Sequence, residues 1–416
     1  MSFPEYIVKL VDDIAKHEHF IDYSIESSDA TKRGENFTGK LTFLQLAGRR
    51  NENPAPDKIQ LVLKTVPSNR NQRLVFQAVT GFKCEVEMYT KVLPKFIAFQ
   101  DEKRITTDEK LLTLPNVYAT VFDEENDHFA IVMEDLRAKN YKKFSRSSNM
   151  TSMTYDHARL VMAKLAQFHA ISFAMKDQNL GVFNEIVRSG TLSSKFMKDD
   201  LGYEILNIFE HSLNALENAK HKELIDDLKT TYLEWVDKFS NEQFVGGSGV
   251  LLHGDCQTNN VLFQHKANEN PIDAMLIDWQ MSRFGPPIID LLYFILSTTD
   301  KSFRDQHFTN LLNEYHSLLS TSIEQLGSDA SIVYPKSTFD SDLIKFNRFA
   351  LIFACVSVTF RFADERHILD LDEYAERICK GERPKLILEF DADTEILYRK
   401  ALNDTVADVV QYCGIN

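Results

Sequence analysis

Cysteine is scarce in this chain, and what there is lies scattered. Cys84, Cys256, Cys355, Cys379 and Cys413 are odd in number and lack both the density of a disulfide framework and the spacing of a metal site. A reducing compartment follows most simply, so the expected location is cytoplasmic. Cys256 stands among polar residues where a nucleophile would sit, but no His–Cys arrangement supports it, and a small packing residue is expected. Long hydrophobic runs are also missing. The longest, residues 349–360, is too short to span a bilayer and reads as a buried helix. Residues 1–20 carry acids where a secretory signal would have an unbroken apolar core, so no membrane association is expected. Positive charge is the third shortage. With 47 Lys and Arg against 61 Asp and Glu the formal net charge is -14, which excludes a general nucleic-acid or anionic-membrane binder. A small anionic ligand needs only a few local cations and stays open. Internal repeats and low-complexity tracts are absent, and no obligate protein partner is evident.

What is present suits a globular chain of two or three domains: 416 residues, 44% hydrophobic and 26% charged. Residues 5–20 read as an amphipathic helix with Tyr6, Leu10, Ile14 and Phe20 on one side. Short strands follow at 22–26 and 40–47, then a proline-containing break at 51–57 and a strand at 59–66. In that strand Ile59, Leu61, Leu63 and Thr65 alternate with Gln60, Val62, Lys64 and Val66. Lys64 is then either an edge lysine on a wet face or an ammonium that needs a partner or ligand. Residues 76–96 have helical spacing, with Phe82, Val86, Tyr89 and Leu93 in one stripe. Glu85 flanks that stripe and is placed to reach Lys64; Glu87 faces water, and Pro94 is expected to end or bend the helix. Strands are expected at 116–123 and 128–133. After them the alternation is lost, and helices are expected at 154–176, 202–239, 289–298, 305–326, 342–363 and 394–412. The division that follows is a strand-rich N-terminal lobe at 1–133, a connector at 134–140 and a helical C-terminal lobe at 141–416. The glycine run at 246–249 lacks the Lys-Ser/Thr of a P-loop and reads as a linker.

The most informative stretch is 251–290. Two apolar runs there flank His253, Asp255, Asn259, Asn260 and Asp278. Asp255 and Asn260 are expected on a loop leading into a short hairpin, with Asp278 at the end of its second strand. Oxygen-bearing side chains at strand ends can converge on a hard cation and the phosphates it carries. Singly, His253 would be a core histidine and Asp255 a turn-former. The joint pattern is more specific. His-x-Asp is followed by Asn five residues after the Asp, then by an apolar strand ending in Asp, with a strand Lys and a helix Glu upstream.

This order is similar to the kinase catalytic set, and its details resemble the aminoglycoside phosphotransferase and choline kinase-like group. Within it the chain most resembles the ecdysteroid kinase-like family. The likeness rests on Gly34-Glu35-Asn36-Phe37, Val62-Leu63-Lys64, Phe82 to Tyr89, Met133-Glu134-Asp135-Leu136, Leu165 to His169, His253-Gly254-Asp255 with Asn259-Asn260, and Asp278-Trp279-Gln280 through Asp290. The nucleotide loop has Gly34 and Gly39 but no GxGxxG, and Gln257 stands where the family pattern has an aromatic residue. The resemblance implies a two-lobed α+β protein kinase-like fold with a small strand-rich N-lobe and a large, mainly helical C-lobe. It implies ATP and Mg²⁺, with Asp255 as base or orienter of a substrate hydroxyl and Asn260 and Asp278 as metal ligands. Lys64, fixed by Glu85, would grip the α- and β-phosphates. Asn36 and Phe37 would lie over the nucleotide, and backbone groups near Glu134 and Leu136 would meet the adenine. His253 would orient the loop, and Asp290 would cap a helix or tie down the catalytic loop.

The implied activity is that of an ATP-dependent kinase acting on a small-molecule hydroxyl, with an ecdysteroid or related lipophilic alcohol as the named example. A choline- or aminoglycoside-type cationic acceptor would need an acidic or aromatic cage. A catalytically silent nucleotide-binding scaffold would not require the complete set of Lys64, Glu85, Asp255, Asn260 and Asp278. A metal-dependent hydrolase would leave Lys64 and Glu85 without a role. The missing Ala-Pro-Glu segment after Asp278 lowers the case for a protein substrate. The acceptor walls are expected among the helices after Gly181 and after Lys301.

Overall fold

The computed structural model describes residues 3–29, 38–50, 53–103, 105, 110–144, 152–189, 200–239, 241–266, 270–364 and 366–415. Its first part is a five-stranded antiparallel sheet of β1 (Phe20–Asp29), β2 (Lys40–Arg50), β3 (Asn53–Thr65), β4 (Val117–Asp123) and β5 (His128–Glu134), ordered β1-β2-β3-β5-β4. Helix α1 (Glu5–His17) covers one face. Its buried residues are Ile7, Val11, Ile14 and Ala15, which pack on Leu44, Leu46, Leu61, Leu63, Ala130 and Val132. The expected stripe was rotated by one position, because Tyr6 and Leu10 lie at its margin and Phe20 already belongs to β1. Each fully buried aliphatic side chain there stabilises the lobe by about 1.5–3 kcal/mol.

The alternation of β3 decides where Lys64 points. Leu61 and Leu63 face α1, so Val62 and Lys64 face the opposite side. That side is covered by α2 (Arg70–Val75), α3 (Ala78–Glu87) and α4 (Leu93–Glu102). Two expectations change here. The prolines at 54 and 56 do not break the chain; β3 runs through both, paired to β2 in the register Arg49↔Pro56. Nor does Pro94 end its helix. A π-helical turn at Met88–Val92 precedes it, so Pro94 falls in the first turn of α4, where its missing N–H is tolerated.

A 3₁₀ turn at Leu136–Lys139 leads out of the sheet. It continues into β6 (Tyr141–Lys143), a strand the sequence reading took for the start of the helical part. β6 pairs with β8 (Val261–His265), which pairs with β9 (Pro271–Leu276); β7 (Val250–Leu252) pairs with β10 (Arg283–Gly285). Around these short strands pack α5 (Tyr155–Gln178), α6 (Leu180–Ser189), α7 (Asp200–Ala215) and α8 (Ala219–Phe239). They are followed by α9 (Ile288–Thr298), α10 (Lys301–Gln325), α11 (Lys336–Lys345), α12 (Asn347–Phe362), α13 (Leu371–Cys379) and α14 (Ala392–Tyr412). The expected helix at 342–363 is thus two, and α6 and α13 were not anticipated. Among the described residues no single helix is long and apolar enough to cross a membrane. The apolar run at 349–360 lies in α12, and most of it is buried. The whole is α+β: a small sheet-rich part, then a larger helical part, with Phe82, Phe129, Phe168 and Trp279 in one continuous core.

Candidate active site

A buried lysine and two carboxylates are assembled where α3, β3 and the loop after β9 meet. Lys64 is 3% exposed, and its Nζ donates to Glu85 Oε2 at 2.6 Å and to Asp278 Oδ1 at 2.8 Å. Burial opposes the charged lysine, but Asp278 and Glu85 outweigh it and hold its pKa above the usual lysine value. Glu85 is pushed above the ordinary carboxylate range by burial, with Lys64 pulling the other way. Glu87 pairs instead with Lys91, one turn along the outer side. The docking of α3 follows from small residues. Cys84 Sγ lies 3.7 Å from the carbonyls of Trp279 and Ser282, and Gly81 faces Gln280. Trp279 fills the space beneath, against Phe168 and His253. Asp278 itself has φ 66°, a left-handed conformation that Asp tolerates better than most residues, and this turns its carboxylate back toward Lys64.

The second half of the site is the loop between β7 and β8. Asp255 Oδ1 accepts from Tyr293 Oη at 2.7 Å, and Oδ2 accepts from Asn260 Nδ2 at 2.8 Å and Gln257 Nε2 at 3.2 Å. Burial pushes its carboxyl up to about 6 despite those donors. Asn260 Nδ2 also donates to the Asp255 carbonyl at 2.9 Å, so both of its bonds to Asp255 use the amide nitrogen and leave the amide oxygen out of them. The Asn260 carbonyl accepts from Ile277 N at 3.0 Å, which holds the loop beside the residue preceding Asp278. His253 Nε2 donates to the Ile277 carbonyl at 3.0 Å, and its Nδ1 accepts from Asp255 N at 3.3 Å. Both ring nitrogens are thereby engaged on backbone, and burial keeps the imidazole neutral. Gly254 has φ 86°, and a Cβ there would lie 1.9 Å from the Met281 carbonyl, so no other residue fits.

Asp290 ties this loop down rather than capping its own helix. Its carboxylate accepts from His253 N at 2.7 Å, Gly254 N at 2.9 Å and His169 Nε2 at 3.2 Å. His169 is in turn fixed by the Tyr315 hydroxyl at 2.8 Å. Cys256 is buried and burial raises its thiol, as befits a packing residue. Lys176 Nζ donates to the carbonyls of Gly247 and Gly249 at 2.8 Å each, so the glycine run turns carbonyls toward a cation, not amides toward a phosphate.

The connector differs from expectation in detail. Glu134 N donates to the Asn116 carbonyl at 2.7 Å, and the Glu134 carboxylate meets Lys139 at 2.5 Å. Leu136 is buried against Tyr141 and Met275. Of the nucleotide-loop residues, Asn36 and Phe37 lie outside the described residues; just after them, Thr38 Oγ1 donates to Gln280 Oε1 at 2.8 Å. Sequence reasoning passed over Tyr293 and Arg283. The signal for Tyr293 was its position three residues after Asp290, on the same side of a helix.

A clamped cation, an amide and a carboxylate beside it, and a buried carboxyl held by three donors form a set suited to phosphoryl transfer onto a hydroxyl. No curated protein matches the chain. The sequence profile of the ecdysteroid kinase-like family matches residues 33–328, which span every residue of this set. The chain belongs to the ecdysteroid kinase-like family.

Proposed function

We propose that the protein transfers the γ-phosphoryl group of ATP to a hydroxyl of a small lipophilic alcohol, an ecdysteroid or a related compound, with Mg²⁺ bound to the nucleotide. Membership in the family carries kinase-like phosphotransferase chemistry on small molecules. The observation that carries the finer reading is the contact between Lys64 and Asp278, 214 residues apart, with Glu85 on the same ammonium. A lysine needed only for stability would not require two carboxylates from two separate elements.

The donor set fits magnesium. Asp278 keeps one oxygen beyond its bond to Lys64, and Asn260 bonds Asp255 through its amide nitrogen, which leaves its amide oxygen as a candidate donor to the ion. Magnesium needs only one or two protein oxygens beside phosphates and water. When bound, the ion offsets charge building on the phosphates. Lys64 grips the α- and β-phosphates, and Glu85 fixes its direction. Asp255 orients the acceptor hydroxyl and takes its proton as the new oxygen–phosphorus bond forms. The bond to the β-phosphate oxygen breaks, and ADP departs. Tyr293, Asn260 and Gln257 hold Asp255 for that step. Purified protein given Mg-ATP and a panel of steroid and amino-alcohol acceptors should yield ADP and a phosphomonoester in equal amounts. ADP with free phosphate and no phosphorylated alcohol would refute the reading.

A further inference from the structure

The cation beside Asp255 is Arg283, and among the described residues its guanidinium donates no hydrogen bond. Arg283 begins β10 and pairs across to Leu252, directly ahead of the catalytic loop. A Cβ built on Gly254 would lie 3.3 Å from its Nη1, so the guanidinium borders the loop that presents Asp255. Asp290 and Asp255 act on it through space, while their oxygens are taken by other donors. Among the described residues no carboxylate ion-pairs with it, and the Phe349 ring centroid lies 5.8 Å from the guanidinium carbon. The buried structural arginine Arg304 is treated otherwise. Its nitrogens meet Asp408 at 2.7 Å, the Thr299 carbonyl at 2.6 Å and Thr405 at 3.1 Å. A half-buried guanidinium with idle donors is costly unless a ligand completes it.

Aromatic rings surround the same spot. Tyr293, which holds Asp255, lies tilted against Phe353 at 4.6 Å between ring centroids, and Phe353 meets Phe349 edge-on at 4.3 Å. Both phenylalanines come from α12, beyond the matched residues 33–328 and among the helices expected to wall the acceptor. Base, aromatic cluster and a cation with no hydrogen-bond partner among the described residues therefore stand side by side.

We infer that Arg283 is the specificity-determining residue of the acceptor side: its guanidinium donates hydrogen bonds to a second oxygen on the incoming alcohol, near the reacting hydroxyl, and its charge turns away cationic alcohols. The acceptor class is an oxygen-rich lipophilic alcohol, such as a vicinal diol or hydroxyketone on a rigid apolar skeleton. This rests on the phosphotransferase reading above and narrows it.

The test compares three acceptors with the full chain and Mg-ATP: ecdysone, oxygen-rich; cholesterol, with one hydroxyl; and choline, cationic. Wild type should phosphorylate ecdysone and leave cholesterol and choline untouched, a result that needs no variant to fold. Arg283→Met should raise the KM for ecdysone roughly 10- to 100-fold, the loss expected of charge-assisted hydrogen bonds, with kcat and the KM for ATP little changed. Arg283→Lys should recover part of the loss. A fall in kcat at unchanged acceptor KM would place Arg283 on the phosphoryl group and overturn the inference, as would turnover of choline or cholesterol. Either result leaves the kinase reading standing. Phosphorylation of none of the three would remove both.

Discussion

Lys64 shows at the residue scale what the site requires of the fold. Its ammonium is nearly buried and shared by Glu85 and Asp278, both themselves largely hidden from water. A buried ion pair adds little net stability, but removing one partner strands the others. Lys64→Met should therefore cost about 3–5 kcal/mol in denaturant unfolding, because two carboxylates would face each other without a cation. Adding Glu85→Gln should restore much of that loss. A single variant as stable as wild type, or a double variant no better than the single, would sink this account of the cluster. Lys64 and Glu85 were readable in the sequence because a strand period of two and a helical turn of 3.6 residues fix which side chains share a face, and Asp255, Asn260 and Asp278 because of their joint spacing. Arg283 belongs to no spacing pattern, and Tyr293 had only its place three residues after Asp290; both gain their meaning from the groups folded around them.

Among the elements, long periodic segments were legible and short or non-local ones were not. The stripe of α3 stood out, whereas β6 is three residues with two lysines and exists only because β8, over a hundred residues later, pairs with it. The prolines of β3 and the π turn before Pro94 show local breakers absorbed by tertiary context. One element junction carries a pH consequence. His157 at the start of α5 has its Nε2 3.0 Å from His265 Nε2 of β8, with Thr154 on Nδ1 and the rings of Phe144 and Phe263 around it. Burial first, and then His265, push its pKa from 6.5 down to about 4. The folded state thus binds this proton less readily than the unfolded chain. Its contribution is complete above pH 6.5 and is lost as pH falls towards about 4. Thermal unfolding across that window should show a shallower acid decline for His157→Leu than for wild type. Parallel declines would remove His157 from the explanation.

Across the whole molecule, the helical part braces the sheet-rich part next to the helix bearing Glu85. α13 packs on α2: Asn69 Nδ2 donates to Asp372 Oδ1 at 2.9 Å, and Phe76 stacks on Tyr374 at 5.7 Å. Tyr374 is buried, and its hydroxyl donates to Glu204 of α7 at 2.5 Å. The two ends of the chain are thereby linked through a segment beyond the family match, which no local pattern could announce. Tyr374→Ala should destabilise the protein by about 3 kcal/mol, through a cavity and the loss of one donor to the buried Glu204 carboxylate, and should speed hydrogen exchange in α2 and α3. Unchanged exchange there would mean that the brace does not govern the helix of Glu85.

The central claim is that this assembly moves a phosphoryl group to a small alcohol, with Asp255 as its base. The most direct test incubates the protein with γ-labelled ATP, Mg²⁺ and a lipophilic extract, and follows the label by mass spectrometry beside Asp255→Asn. The account predicts a labelled phosphomonoester from wild type, formed about 10²- to 10⁴-fold more slowly by the variant while ATP binding persists. Label appearing only in inorganic phosphate, or an equal yield of the phosphomonoester from Asp255→Asn, would contradict it.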